Sequence, residues 1–107
     1  MWVNYQKQHD FNPLHSHVGD LSFVTYLNVP SELSKEKDQW KGKGPQPGSI
    51  IFQFGVSQSM VLDLRSVLPK KGDFFLFPST LNHMVVPFST PNVERISVSG
   101  NINFLEK

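Results

Sequence analysis

At 107 residues the chain can build one hydrophobic core and is too short for two, so it reads as a single domain over 1–107. A formal net charge of +1 gives nucleic acid or an anionic membrane no electrostatic footing, and the absence of cysteine excludes disulfides and thiolate metal sites. The apolar runs are too short for a membrane-spanning helix and "MWVNYQKQHD" lacks the features of a secretory signal, so a soluble cytoplasmic domain is expected.

Nine Phe, two Trp and two Tyr point to an aromatic-rich core. Period-two alternation runs through most of the chain, with turn residues about every eight to twelve positions, which predicts short strands. The first is Trp2–Gln6, followed by Asn12–His17 and Leu21–Val29. The next segment, 31–48 within "PSELSKEKDQWKGKGPQPG", is polar and rich in Gly and Pro. Ser31 is placed to cap a short helix through Gln39, and "KGKGPQPG" beyond it suits neither helix nor central strand. A polar insertion of this length reads either as a solvated excursion or as a mobile lid over a binding site. Strands resume at Ser49–Gly55, Met60–Arg65, Asp73–Phe77, His83–Pro87 and Glu94–Phe104. About eight short strands and no long helix predict an all-β sandwich or rolled barrel, for which the jelly roll is the natural eight-stranded solution.

Three features carry candidate chemistry. In "NPLHSHVGD", His15 and His17 sit at i and i+2, so on a strand both rings point the same way and can chelate one ion; equally they can be two polar residues on a strand edge. His83 follows a turn, an aromatic strand and a Pro-Ser corner, and a histidine there sits at a strand mouth, as a third ligand or as a hydrogen-bonded strand end. In "ERISVSGNINF" one face reads Arg95, Ser97, Ser99, Asn101 and Asn103. A guanidinium fork and a hydroxyl at i, i+2 suit a carboxylate, although a solvent-facing Arg and Ser are ordinary as well. Tyr26 and Asn28 alternate on the strand after the histidine pair and can face the same cavity, or form a plain half-buried strand face.

Together, "NPLHSHVGDLSFVTYLNVP" (12–30), "GDFFLFPSTLNHMVVP" (72–87) and "RISVSGN" (95–101) resemble the 2-oxoglutarate/Fe(II)-dependent oxygenases, within them the prolyl-4-hydroxylase-like group of phages and marine bacteria. The likeness covers most of the chain outside the 31–48 loop and the Ser49–Arg65 hairpin, and its order is specific: paired ligands, a GxxxxFPSxxxH block, then Arg-x-Ser. It implies a double-stranded β-helix (a cupin-like jelly roll) with Fe(II) held inside and 2-oxoglutarate as co-substrate, decarboxylated oxidatively as a substrate is hydroxylated. It implies His15 and His83 as metal ligands, Arg95 on the distal carboxylate of 2-oxoglutarate, and Ser97 assisting. The superfamily's usual second ligand is an acid; here His17 stands at that position and Asp20 is the nearest acid, with His17 preferred. The 31–48 loop would be a substrate lid and Trp40 its contact residue. Relatives carry N-terminal elements that buttress the barrel, so a chain starting almost at the ligand strand is expected to dimerise or to expose an apolar face. A phage-encoded member would act in the host cytoplasm, on a small-molecule or peptidyl substrate.

Two rival readings stay open. One is a three-histidine cupin-type dioxygenase that does not use 2-oxoglutarate, for which Arg95 has no evident task. The other is a metal-free jelly-roll module that binds sugar or protein, for which three histidines and an arginine have none.

Overall fold

A computed structural model describes residues 1–42, 44–54 and 63–105. Eight strands alternate with one short helix: β1 (Trp2–Gln6), β2 (Asn12–His15), β3 (Leu21–Asn28), α1 (Glu32–Gln39), β4 (Ile50–Phe54), β5 (Asp63–Val67), β6 (Phe74–Pro78), β7 (Asn82–Val85) and β8 (Arg95–Ile102). The strand expected to begin at Met60 is described from Asp63 onward, and positions 55 and 60–62 lie outside the described residues. Elsewhere the expected strands form with ends shifted by a few residues at most. The second is the informative case, ending at His15 rather than His17.

The strands build two four-stranded antiparallel sheets, ordered β1-β8-β3-β6 and β2-β7-β4-β5. The pairs β1·β8, β2·β7, β3·β6 and β4·β5 are those of one long hairpin folded over itself. Joining β8 to β3 and β7 to β4 then wraps that hairpin into a roll. This is the jelly roll expected from the strand count, and its geometry turns alternate residues of both sheets toward a shared interior.

The core lies between the sheets, with Val24 and Tyr26 of β3 and Phe77 of β6 meeting Ile50 and Phe52 of β4. It is aromatic, as the composition suggested. The Phe52 and Phe77 rings meet edge to face at 5.1 Å and Tyr26 meets Phe75 at 6.0 Å, spacings at which ring quadrupoles attract.

Two irregularities decide which side chains face inward. In β2, the four residues from Asn12 to His15 span three on β7, from Val85 to His83. The extra residue is a bulge, and it turns both Asn12 and His15 into the interior. In β3 the register slips between Tyr26 and Asn28. That slip breaks the alternation which would have kept these two on one face.

The 31–48 insertion is anchored rather than loose. Ser31 occupies the position before α1, but with helical φ and ψ and without a side-chain cap hydrogen bond, so it does not cap the helix in the way its sequence suggests. Leu33 is buried, and the Glu36 carboxylate accepts the Ser89 and Thr90 backbone N–H groups at 2.7 and 3.1 Å and the Thr90 hydroxyl at 2.6 Å. Charge-assisted bonds of this kind hold α1 to the β7–β8 connection.

Phe52→Ala should lower unfolding free energy by about 3–5 kcal/mol in urea denaturation, because the truncated ring leaves a cavity against Phe75, Phe77 and His83. A shift below about 1 kcal/mol would mean that this inter-sheet contact does not carry the core.

Candidate functional site

A cavity of about 460 Å³ opens between the two sheets. The β2-β7-β4-β5 sheet contributes His15 and His83 to its wall, the stretch after β2 adds His17, and the β1-β8-β3-β6 sheet contributes Tyr26, Arg95 and Ser97. Segments more than sixty residues apart therefore meet in one chamber.

The histidines converge because β2 and β7 pair with His15 directly opposite His83. His17 lies just past the end of β2, where its backbone N–H donates to the Ser79 carbonyl at 2.7 Å. Ser79 is itself buried, its hydroxyl 2.9 Å from that of Ser22, so the Pro-Ser corner before His83 also fixes the chain at His17. The three rings lie 4.1–5.0 Å apart centre to centre, with their donor nitrogens within 4.8 Å of one another.

Backbone carbonyls settle two of the tautomers. His15 Nδ1 faces the Pro13 oxygen at 2.6 Å and His83 Nδ1 faces the Leu81 oxygen at 3.0 Å; a carbonyl can only accept, so both Nδ1 atoms carry the proton. Both Nε2 lone pairs are then bare, the arrangement that second-sphere carbonyls impose on ligating histidines. His17 Nε2 lies 3.2 Å from His83 Nε2. Without metal that contact is an N–H donated by His17; metal binding requires His17 to carry its proton on Nδ1 instead. Metal–nitrogen bonds of about 2.0–2.1 Å place adjacent ligand nitrogens roughly 3.0–3.4 Å apart, so the observed separation fits a divalent ion between the two rings. A set of three neutral imidazoles suits iron, zinc, copper or nickel.

Electrostatics favour the ligating form. Burial pushes the His17 pKa down, and His15 lowers it further. Burial also lowers His83, with the neighbouring His15 and His17 acting in the same direction and the Leu81 carbonyl opposing them.

Arg95 lies within the same cavity and is buried, with no carboxylate partner among the described residues. Neutral groups hold its guanidinium: Nη1 donates to the Gly48 carbonyl, Nη2 donates to Gln6 Oε1 at 2.6 Å, and the Tyr26 ring lies beneath, 5.3 Å from its centroid to the guanidinium carbon. Burial pushes the Tyr26 phenol up to about 12, with Arg95 opposing that rise, so Tyr26 offers a neutral ring face. Burial lowers the Arg95 pKa as well, yet an arginine stays protonated in proteins. The result is a buried cation with no counter-charge among the described residues.

Other expected positions fall elsewhere. Asn28 is exposed beyond the β3 slip, and its amide donates to the Glu94 carbonyl at 2.8 Å instead of facing the cavity. Trp40 is exposed and its indole donates to the Gly44 carbonyl at 3.3 Å. None of the described residues of 31–48 lines the cavity, and the end of the segment supplies the Gly48 carbonyl to Arg95. Asp20 is exposed and its carboxylate accepts the Phe104 backbone N–H at 2.5 Å, so it stands apart from the histidines while His17 joins them.

The sequence reading passed over Asn4, Gln6, Gly48 and Ser79. Asn4 Nδ2 lies 2.9 Å from the Ser99 hydroxyl and 3.4 Å from that of Ser97, lacing β1 to β8 along the cavity wall. Gln6 is steadied by donating its own Nε2 to the Asp10 carbonyl at 2.9 Å. The signal for both was the alternation of Trp2, Asn4 and Gln6 in "WVNYQ", which register sets opposite Ser99, Ser97 and Arg95. Gly48 has φ +79°, a backbone conformation that favours glycine, while a Cβ there would make only ordinary contact with Arg95 Nη1 at 3.5 Å.

The lowered His17 and His83 pKa values have a definite sign. Above the unfolded value of 6.5 both states are neutral and stability is at its plateau; as pH falls below 6.5 the unfolded chain takes up protons first, and stability drops. Urea midpoints of the metal-free protein should fall between about pH 7.5 and about pH 5, and the slope should flatten in His83→Asn. A slope unchanged in that variant would place the titrating groups elsewhere.

A protein-family model described as "Putative 2OG-Fe(II) oxygenase" matches residues 1–101. No curated protein sequence matches the chain. With that match running from the first strand through nearly all of β8, the chain belongs to this 2OG-Fe(II) oxygenase family.

Proposed function

We propose that this protein is a 2-oxoglutarate- and Fe(II)-dependent oxygenase that couples oxidative decarboxylation of 2-oxoglutarate to hydroxylation of a small-molecule or peptidyl substrate. The observation carrying this reading is that a three-histidine cluster and a buried arginine with no carboxylate partner among the described residues share one cavity. A metal-binding module alone has no use for Arg95, and a dioxygenase independent of 2-oxoglutarate has no anion to set against it.

In this reading His15, His17 and His83 would hold Fe(II), His15 and His83 through Nε2 because the Pro13 and Leu81 carbonyls keep their ring protons on Nδ1. Three imidazoles bring no negative charge, so the ion keeps its full charge for an anionic co-substrate. Arg95 receives the distal carboxylate of 2-oxoglutarate with the Ser97 hydroxyl beside it on the same strand face. Bound iron and 2-oxoglutarate supply the oxidising chemistry with O₂; the protein's share is to orient them and to keep bulk water away. Val24, Ile50, Phe77 and Val85 give the cavity an apolar lining for that second task.

Gln6 has a defined part as a neutral acceptor. A carboxylate at position 6 would satisfy Arg95 internally and repel the co-substrate, whereas the amide orients the guanidinium and leaves its charge available.

Anaerobic addition of 2-oxoglutarate to the Fe(II)-loaded protein should produce a metal-to-ligand absorption band in the visible, absent from His15→Ala and His83→Ala. Arg95→Ala should weaken 2-oxoglutarate by about 10–150-fold, the loss of roughly 1.5–3 kcal/mol of charge-assisted bonding, while leaving Fe(II) affinity in place. Gln6→Glu should likewise weaken the co-substrate by at least about tenfold without loss of metal. Fe(II) binding with no band in the wild type would favour the dioxygenase that does not use 2-oxoglutarate, and no Fe(II) binding at all would favour the metal-free module.

A further inference from the structure

We infer that the outer face of the β1-β8-β3-β6 sheet is a contact with a second copy of this chain, related by a two-fold axis. Strand register and alternation assign the residues of that face, of which Val3, Tyr5, Phe23 and Gly100 also border the cavity. Val3 pairs with Val98 and Tyr5 with Ile96. Val98 pairs onward with Thr25, Gly100 with Phe23 and Ile102 with Leu21. Phe23 then pairs with Leu76, Thr25 with Phe74 and Leu21 with Pro78.

These twelve positions include no charged side chain. Thr25 is the single polar one, and its hydroxyl is already spent on the Asp73 carbonyl at 3.0 Å. The Phe23 ring lies over Gly100, where a Cβ would come within 2.6 Å of it, and stacks on Phe74 at 5.7 Å with 14° between the planes. The surface is thus a continuous apolar plate running from one edge strand to the other.

Much of it is open to solvent: Tyr5 is 59% exposed, Phe74 57%, Leu76 53%, Val3 47% and Ile102 41%. With the half-buried Leu21, Phe23, Ile96 and Val98 these amount to on the order of 600 Å² of apolar surface, near the roughly 800 Å² that each partner buries in a stable protein interface. A plate of this size stands at the upper end of what a typical monomer exposes, about 300–600 Å², and patches there often mark a contact. The other sheet supplies an internal comparison, since its outer face carries Gln53, Ser66 and Asn82 among its apolar residues, with Asn82 bonded to Gln53.

The chemistry selects a second copy as the occupant. A plate with no ions has nothing to pair with a charged partner, but two such plates meet without desolvating any charge. Sheet faces stack at about 10 Å with interdigitating side chains, and a two-fold axis brings each plate onto its own like. A membrane surface would call for a flanking basic field, and the net charge of the chain is +1.

Sedimentation velocity of the purified chain from about 1 to about 100 µM should show a dimer, with Leu76→Lys and Tyr5→Lys each raising its dissociation constant by at least about 100-fold. Leu64→Lys, at an exposed site on the other sheet, should leave the dimer intact. Carbene footprinting of the wild type needs no variant, and should show Tyr5, Phe74 and Leu76 protected at high concentration and labelled at low. A wild type that is monomeric at the highest concentration overturns the inference. So does a footprint confined to other residues, a dimer that Leu76→Lys leaves unchanged while its circular dichroism stays native, or flotation of the monomer with phosphatidylcholine vesicles.

Discussion

The arrangement depends most on a buried positive charge, Arg95, that no carboxylate among the described residues neutralises. A guanidinium withdrawn from water costs several kcal/mol unless its donors are satisfied, and the neighbours of Arg95 satisfy them with neutral groups from three separate parts of the chain. Gln6 reaches it from β1, the Gly48 carbonyl from the end of the 31–48 insertion, and the Tyr26 ring from β3. Each contact constrains the backbone that bears it. Gly48 must be glycine, Gln6 must be anchored by Asp10, and β1 must pair with β8 in the one register that sets Gln6 opposite Arg95. A slip of one residue would turn Gln6 outward and leave the charge with one acceptor fewer.

The histidine cluster obeys a complementary constraint. Three imidazoles packed within a few ångströms must stay neutral, and burial together with mutual repulsion enforces this by lowering the His17 and His83 pKa values. The cavity thus holds neutral nitrogen donors and a fixed cation side by side, two groups that neither neutralise nor bind each other. A ligand bridging them needs a chelating end for a metal and an anionic end for Arg95. A dicarboxylate with a keto group has both.

Much of this was legible in the sequence, for identifiable reasons. Alternation and turn spacing suffice for eight strands and hence for the jelly roll, because burying one face of every strand leaves few closed solutions. His15, His17, His83, Arg95 and Ser97 were legible as side chains of suitable chemistry at suitable spacing, and the fold carries all five to one cavity. What escaped was whatever depends on a break in alternation. Simple alternation allowed Asn28 to face the cavity with Tyr26 or to sit on a plain strand face, and the slip in β3 sends it outward. His17 was expected to share a strand with His15; it is held instead by the loop contact to Ser79, a partner more than sixty residues away that no local pattern reveals. The ties of the 31–48 segment were hidden for a related reason: its polarity masks the two residues that hold it down, Leu33 and Glu36, and its end supports Arg95 through the Gly48 carbonyl.

Strand β8 joins the site to the sheet's outer face. Its even-numbered residues Ile96, Val98, Gly100 and Ile102 belong to the apolar plate, and its odd-numbered residues Arg95, Ser97 and Ser99 line the cavity. Neighbouring strands hold β8 on both edges, so its freedom to move is chiefly in and out of the sheet plane. A second copy packed against the even-numbered face, as inferred above, would oppose that motion directly. The same contact would then stiffen the strand carrying Arg95, and a carboxylate-binding fork would gain from that rigidity because less conformational entropy is lost when a ligand docks. An unsupported four-stranded plate would let Ser97 and Arg95 drift relative to the histidines, which stand on the other sheet. Keeping two half-sites in register across a cavity is what the outer contact would contribute, and it explains why one strand alternates between a wholly apolar face and a wholly polar one.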